Sequence, residues 1–194
     1  MSSHHFVREG QEPALLIASA ASLQQAEPLL EWVPLVIITE AVLDHVQAWG
    51  IKIDAVVCLA AHAADIELQL LDQMPLVVLP HPPGEDPIAC ALQHLATTRH
   101  TMVNILTPPI EAIFHLATRF PTLQTTLLGP DVRWSLSTHF EKWLPTGNRL
   151  YLRPAEGQSL SLQGLESIEN GYQATHDGIV RVHGTPPFWV GEPV

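Results

Sequence analysis

The chain is poor in positive charge: 9 lysines and arginines stand against 20 acidic residues, a formal net charge of −11 over 194 residues. That shortage argues against a nucleic-acid binder, which needs a basic stripe to neutralise phosphates. It also makes a bare polyphosphate an unwelcome ligand, because like charges about 4 Å apart repel by roughly 4 kcal/mol at an effective dielectric near 20. A nucleotide would need a divalent cation as escort. Cysteine is scarce as well. Cys58 and Cys90 fall on an expected strand and an expected helix, which points to two buried free thiols rather than a disulfide. No run reaches the roughly 18 apolar residues of a membrane span, and the polar start at residues 1–13 has no apolar signal core. The expectation is a cytoplasmic protein with no membrane partner. A P-loop, a dinucleotide glycine fingerprint and any Ser-His-Asp or Cys-His spacing are also missing.

What the chain does have is apolar content, 46% hydrophobic against 15% charged. That is enough for a core that needs neither metal nor disulfide. Short apolar runs alternate with helical patterns. Strands are expected at Ala14–Ala18, Leu35–Thr39, 55–60, Leu76–Leu79, Met102–Leu106 and Leu123–Leu128. Between them, helices are expected behind Ser22 as N-cap, over Glu40–Trp49 with Gly50 as the stop, near 63–72, over Ile88–Thr98 behind Pro87, and from Pro108-Pro109 to Phe120. The segment Pro80 to Asp86 reads as a rigid loop. Such alternation implies a parallel sheet with crossover helices. Beyond Gly129-Pro130 no 3.6-residue period survives. Short alternating runs take over at Arg149–Arg153, Ser159–Gln163 and Ile179–His183. The expected fold is therefore an N-terminal parallel α/β domain over 1–135, followed by a smaller, β-sandwich-like domain over 136–194.

The stretch Gly50 to Asp65, GIKIDAVVCLAAHAAD, carries most of the functional information. In open α/β sheets, ligands sit at the C-terminal ends of strands. Here that end is Cys58-Leu59-Ala60-Ala61-His62, with no carboxylate, lysine or glycine-rich turn. Taken with the order of an α/β part and a β tail, "GIKIDAVV" resembles the thiamine pyrophosphokinase family. Further likenesses are "GNRLYLRP", "SLSLQGLES" and "GYQATHDGIVRV" in the tail.

The resemblance implies an α/β domain that handles a nucleotide and a β domain that handles thiamine. It also implies pyrophosphoryl transfer from ATP to thiamine with Mg2+, release of AMP, and a homodimer. It further implies which positions should carry the chemistry. The family's DGG falls at Glu40-Ala41-Val42, its GDFDS at Cys58–His62, and its K-T-D at Gly84-Glu85-Asp86, where only the aspartate matches. Its GGR-x-DH falls near Pro108–Ile113, and its thiamine-contacting S-N pair at Ala174-Thr175. Leu59 and Ala61 thus stand where hard oxygen ligands belong. The implied function is a thiamine pyrophosphokinase-like protein with its catalytic motifs largely lost, weak or inactive. The alternative is a non-catalytic ligand-binding, regulatory or assembly homologue.

Individual residues carry two readings each. Asp86 suits a metal ion or the cap of the helix beginning at Pro87. Glu40 suits a metal or the positive end of a helix dipole. His62 and Asp65 could converge with His81 and Glu85 as transition-metal ligands, although no tight ligand spacing supports it. Trp134, Trp143 and Trp189 suit stacking on a flat cationic ring, or simple packing. If a ligand binds, Glu40, His62 and Asp86 are the candidates for contacting the nucleotide. Asp86, Glu40 and Asp65 are the candidates for metal, and Thr175 and Trp189 for thiamine.

Overall fold

The computed structural model describes residues 12–108 and 111–194. Most of the polar start and the expected helix opening at Pro109 lie outside the described residues. The chain divides into two compact units between Thr125 and Thr126, earlier than the 135/136 boundary drawn from pattern. The structure is mixed α/β.

Among its described residues the first unit holds strands β1 (Ala14–Ile17), β2 (Val36–Thr39), β3 (Ala55–Leu59), β4 (Val77–His81) and β5 (Met102–Leu106). They lie in the order β5-β1-β2-β3-β4, and every neighbouring pair is parallel. Helices α1 (Leu23–Leu30), α2 (Leu43–Gln47), α3 (Ala63–Gln69), α4 (Pro87–Thr97) and α5 (Glu111–Thr118) make the connections. Strands β1 and β2 are buried at every position, as expected for parallel strands covered on both faces.

The punctuation works as the residues suggest. Ser22 and Gln25 form a reciprocal capping box on α1. Asp86 Oδ1 accepts from the Ile88 N–H at 2.8 Å and the Ala89 N–H at 3.4 Å, capping α4 in front of Pro87. Gly50 takes a positive φ of 67° just past α2, where a Cβ would be strained.

Two elements differ from expectation. The helix expected over Glu40–Trp49 opens with a 3₁₀ turn, Glu40–Val42, before α2 begins. Thr39 makes no side-chain cap there, so the uncapped end tightens. Strand β4 also runs on through Pro80 and His81, which had read as loop. The Val77 N–H donates to Asp54 O across the β3 side. Alternation then points the backbone groups of Leu76, Val78 and Pro80 away from β3. Because β4 pairs with β3 alone among the described residues, the missing N–H of Pro80 falls on the outer side of the strand and disrupts no ladder there.

Strand β6 (Gln124–Leu128) leads the chain into the second unit. There follow β7 (Val132–Leu144), β8 (Arg149–Arg153), β9 (Ser161–Gln163), β10 (Leu165–Ile168), β11 (Gly171–Ala174) and β12 (Gly178–Pro193). All pairings are antiparallel, and β12 is the hub, bonded to β7, β8 and β9. Its register on β7 shifts between His183 and Phe188. Leu144, Leu150, Val180, Val182, Phe188 and Val190 bury themselves together as this unit's core. Trp134 lies flat over Gly191 in the opposed strand position. Among the described residues no helix is long and apolar enough to cross a membrane.

Candidate functional site

The C-terminal ends of β2 and β3 bring Glu40 and His62 together. Each sits in a 3₁₀ turn that follows its strand directly, and the strands are neighbours in the sheet. Glu40 Oε1 lies 2.5 Å from His62 Nδ1, and Glu40 Oε2 accepts from the Leu59 N–H at 3.1 Å. Both carboxylate oxygens are therefore engaged within the protein. The imidazole Nδ1–H donating to a carboxylate would leave Nε2 as the ring's acceptor.

Around this pair lies an open depression of about 490 Å³, lined by Glu40, Asp44, His45, His62, Asp65 and Gln69 among others. Sequence reasoning found Glu40, His62 and Asp65 but missed Asp44, His45 and Gln69. Helical spacing was the available signal: Asp44 follows Glu40 by four residues, and Asp65 and Gln69 follow His62 by three and seven. Gln69 Nε2 donates to Gln47 Oε1 at 2.9 Å and to Asp44 Oδ1 at 3.4 Å, linking α3 to α2. His45 Nε2 sits 2.6 Å from Ala21 O and is committed to the loop before α1.

Asp86 is occupied as the α4 cap, and His81 is buried, with Nδ1 3.0 Å from Pro82 O. Among the described residues no three His, Cys, Asp or Glu side chains gather in a way that could hold a metal ion. Neither His62, Asp65, His81 and Glu85 nor Glu40, Asp65 and Asp86 form such a group, although Glu40, His62 and Asp65 line the same depression. The residues that close β3 and open the turn after it are Leu59, Ala60 and Ala61.

Both cysteines are free. Cys58 is fully buried at the end of β3, while Cys90 on α4 is only partly so. Burial pushes the Cys58 thiol above its ordinary range, and the Glu40 carboxylate adds to that. Burial does the same to Cys90, aided by Glu85. Neither is an activated nucleophile.

The residues that carried the family resemblance most clearly, GIKID, serve a different end of the strands. Asp54 Oδ2 accepts from the Val36 N–H at 2.8 Å, starting β2. Lys52 Nζ donates to Ile53 O at 2.6 Å and Pro75 O at 2.9 Å, and the Ile53 N–H donates to Gln73 Oε1 at 2.9 Å. This turn is a clamp joining the N-terminal ends of β2, β3 and β4, remote along each strand from Glu40 and His62.

In the second unit, Thr175 is exposed just after β11, its N–H bonded to Gly164 O and its hydroxyl 3.0 Å from His176 Nδ1. Beside it, Asp177 Oδ1 accepts from both the backbone N–H and the hydroxyl of Thr146, at 2.7 and 2.8 Å. These two bonds hold the Asp177 carboxyl below the usual carboxylate range. Trp189 is buried at 4% exposure, opposite Leu136 and Arg153. Trp143 stands out at 59% exposure, opposite Ile179.

No protein-family model and no curated protein matches the chain. Solved structures do. Thiamin pyrophosphokinase from Candida albicans superimposes with a TM-score of 0.68, covering 96% of this chain and 91% of that one at 7% identity. The Bacillus subtilis thiamine pyrophosphokinase gives 0.66, covering 92% and 97% at 10% identity. Yeast thiamin pyrophosphokinase gives 0.68, covering 96% and 87% at 7% identity. The chain has the thiamin pyrophosphokinase fold over nearly its whole length.

Proposed function

We propose that this chain is a thiamine pyrophosphokinase-like protein in which pyrophosphoryl transfer from ATP to thiamine is weak or lost. The observation that supports this most directly is the engagement of Glu40, whose two oxygens are taken by His62 and by the Leu59 N–H. Magnesium asks for near-octahedral oxygen donors and usually sits on carboxylates together with substrate phosphates. Phosphoryl-type transfer then depends on that charge neutralisation and positioning. At the β3 terminus the chain supplies Leu59, Ala60 and Ala61 instead, and the Glu40 carboxylate beside it is held by an imidazole. The donor set does not fit a magnesium–nucleotide site.

In this reading the first unit is the counterpart of a nucleotide-binding domain and the second of a thiamine-binding domain. The protein is a cytoplasmic homodimer, with the exposed Trp143–Ile179 pair on β7 and β12 available for association. The non-catalytic alternative, a binding or regulatory homologue, draws on the open depression beside His62. Such a protein would bind a small ligand without metal.

The test is an assay for AMP and thiamine diphosphate after incubation with thiamine, ATP and magnesium. The expected result is little or no product above a no-protein control. Thiamine-dependent AMP that disappears in Asp86→Asn would overturn the reading. Asparagine caps a helix as well as aspartate, so that loss would report a lost metal ligand rather than a lost fold.

A further inference from the structure

The second unit carries a pair of histidines that lies outside the candidate site. His139 on β7 and His183 on β12 stand directly opposite each other in the antiparallel ladder, and both are exposed. Their rings meet edge to face, with centres 5.8 Å apart. The backbone beneath them is well fixed. Ser137 Oγ accepts from the His139 N–H at 3.1 Å and donates to His139 O at 2.7 Å. His183 pairs on its other side with Ser161 of β9, so it stands on the middle strand of three.

Neutral imidazole is the commonest metal-ligating side chain, and it suits zinc, copper and nickel rather than magnesium. A zinc ion sits about 2.0–2.1 Å from each ligating nitrogen with tetrahedral angles, which sets the centres of two ligating rings about 5 Å apart. The separation of 5.8 Å is a small side-chain rotation away from that. The neighbouring charges leave the pair accessible to a cation. Arg181, two residues from His183 on β12, is matched by Glu141, whose Oε2 accepts from Arg181 Nε at 2.6 Å. The same Oε2 lies 3.8 Å from His139 Nε2, beyond a hydrogen bond, and brings negative charge towards the rings. Glu141 is committed to Arg181 and is not a third ligand, in keeping with the lack of any three-ligand group among the described residues.

We propose that His139 and His183 chelate one divalent transition-metal ion of the zinc and copper class, with water completing its coordination. The ion ties β7 to β12 at the last pair before their register shifts. The site is built from the second unit alone, whatever the first unit binds.

The test is a zinc titration of the full chain at neutral pH, followed through the imidazole ring resonances. The rings of His139 and His183 should shift together over one range of zinc concentration, and magnesium at the same concentrations should move neither. That readout comes from the unsubstituted chain and does not depend on any variant folding. His139→Gln should then weaken the response of His183 about tenfold or more, and His183→Gln that of His139, because a lone imidazole has lost its chelate partner. Rings that respond over separate zinc ranges, or a remaining histidine that binds as tightly after its partner is replaced, would show two independent imidazoles and overturn the proposal. So would rings that stay unmoved at zinc concentrations that shift the other histidines of the chain.

Discussion

Replacing Glu40 by alanine tests whether its carboxylate is a structural partner of His62 or a vacant metal ligand. A hydrogen bond to a charged group contributes about 1.5–3 kcal/mol. The Glu40 and His62 side chains are 33% and 48% exposed, and solvent at that level reduces the pair to about 1 kcal/mol. The alanine also removes the acceptor of the Leu59 N–H, about another 1 kcal/mol. Glu40→Ala should therefore cost about 2 kcal/mol, and Glu40→Gln and His62→Ala about 1 kcal/mol each, since glutamine still accepts from Leu59. The Glu40→Gln/His62→Ala double variant should cost about 1 kcal/mol rather than 2, because both changes remove the same bond. Urea midpoints with matching slopes across the cycle give these numbers. Millimolar magnesium should leave the unsubstituted chain's midpoint unchanged. A true site at a hundred times its dissociation constant would add about 2.7 kcal/mol. Additive single changes, or a rise of that size with magnesium, would refute the reasoning.

Three further outcomes are expected. Asp177 has its carboxyl held below the ordinary range by Thr146, so its contribution is present above the unfolded value and lost as pH falls through the folded one. The stability advantage of the parent over Asp177→Asn should accordingly vanish on acidification in that window, followed by urea unfolding at each pH. His94 and His100 are held below the ordinary histidine range, chiefly by burial. Acidification from the ordinary histidine range down through their lowered values should therefore destabilise the chain, and less so in His94→Gln/His100→Gln. A methyl group on Gly191 would meet the Trp134 ring at 2.9 Å, so Gly191→Ala should cost about 1–3 kcal/mol in midpoint, with a change in tryptophan fluorescence.

Much of the first unit was legible because its parallel strands are short, mostly apolar runs and because α1 and α4 open on capping residues. Ser22, Gly50, Asp86 and Pro87 marked ends that the structure keeps. The second unit was legible only in fragments. β7 spans 13 residues and does alternate, with Val132, Trp134, Leu136, Phe140 and Leu144 on one face against Arg133, Ser135, Ser137, His139 and Glu141, a period-2 signal that the reading of the tail passed over. β12 was read only over its Ile179–His183 part. Its later half lies beyond Thr185-Pro186-Pro187, and prolines at a register shift resemble a chain break. Pro80 misled in the same way, because sequence does not say which side of a strand is an edge. At the site, the alkyl character of Leu59 to Ala61 was plain, whereas the Glu40–His62 contact joins residues 22 apart. Only the adjacency of β2 and β3 creates it.

The central position of β12 has a consequence for the order in which the chain can assemble. Strands β7, β8 and β9 all wait for residues 178–193 before they have their shared partner. During synthesis from the N-terminus, the 13 residues of β7 therefore emerge well ahead of the strand that pairs with them along nearly their whole length. Meanwhile the β1–β2 and β2–β3 pairs join near neighbours in sequence. The second unit should close late and in one step, and any arrest of the ribosome before residue 178 would leave a long sticky strand exposed to whatever lies nearby.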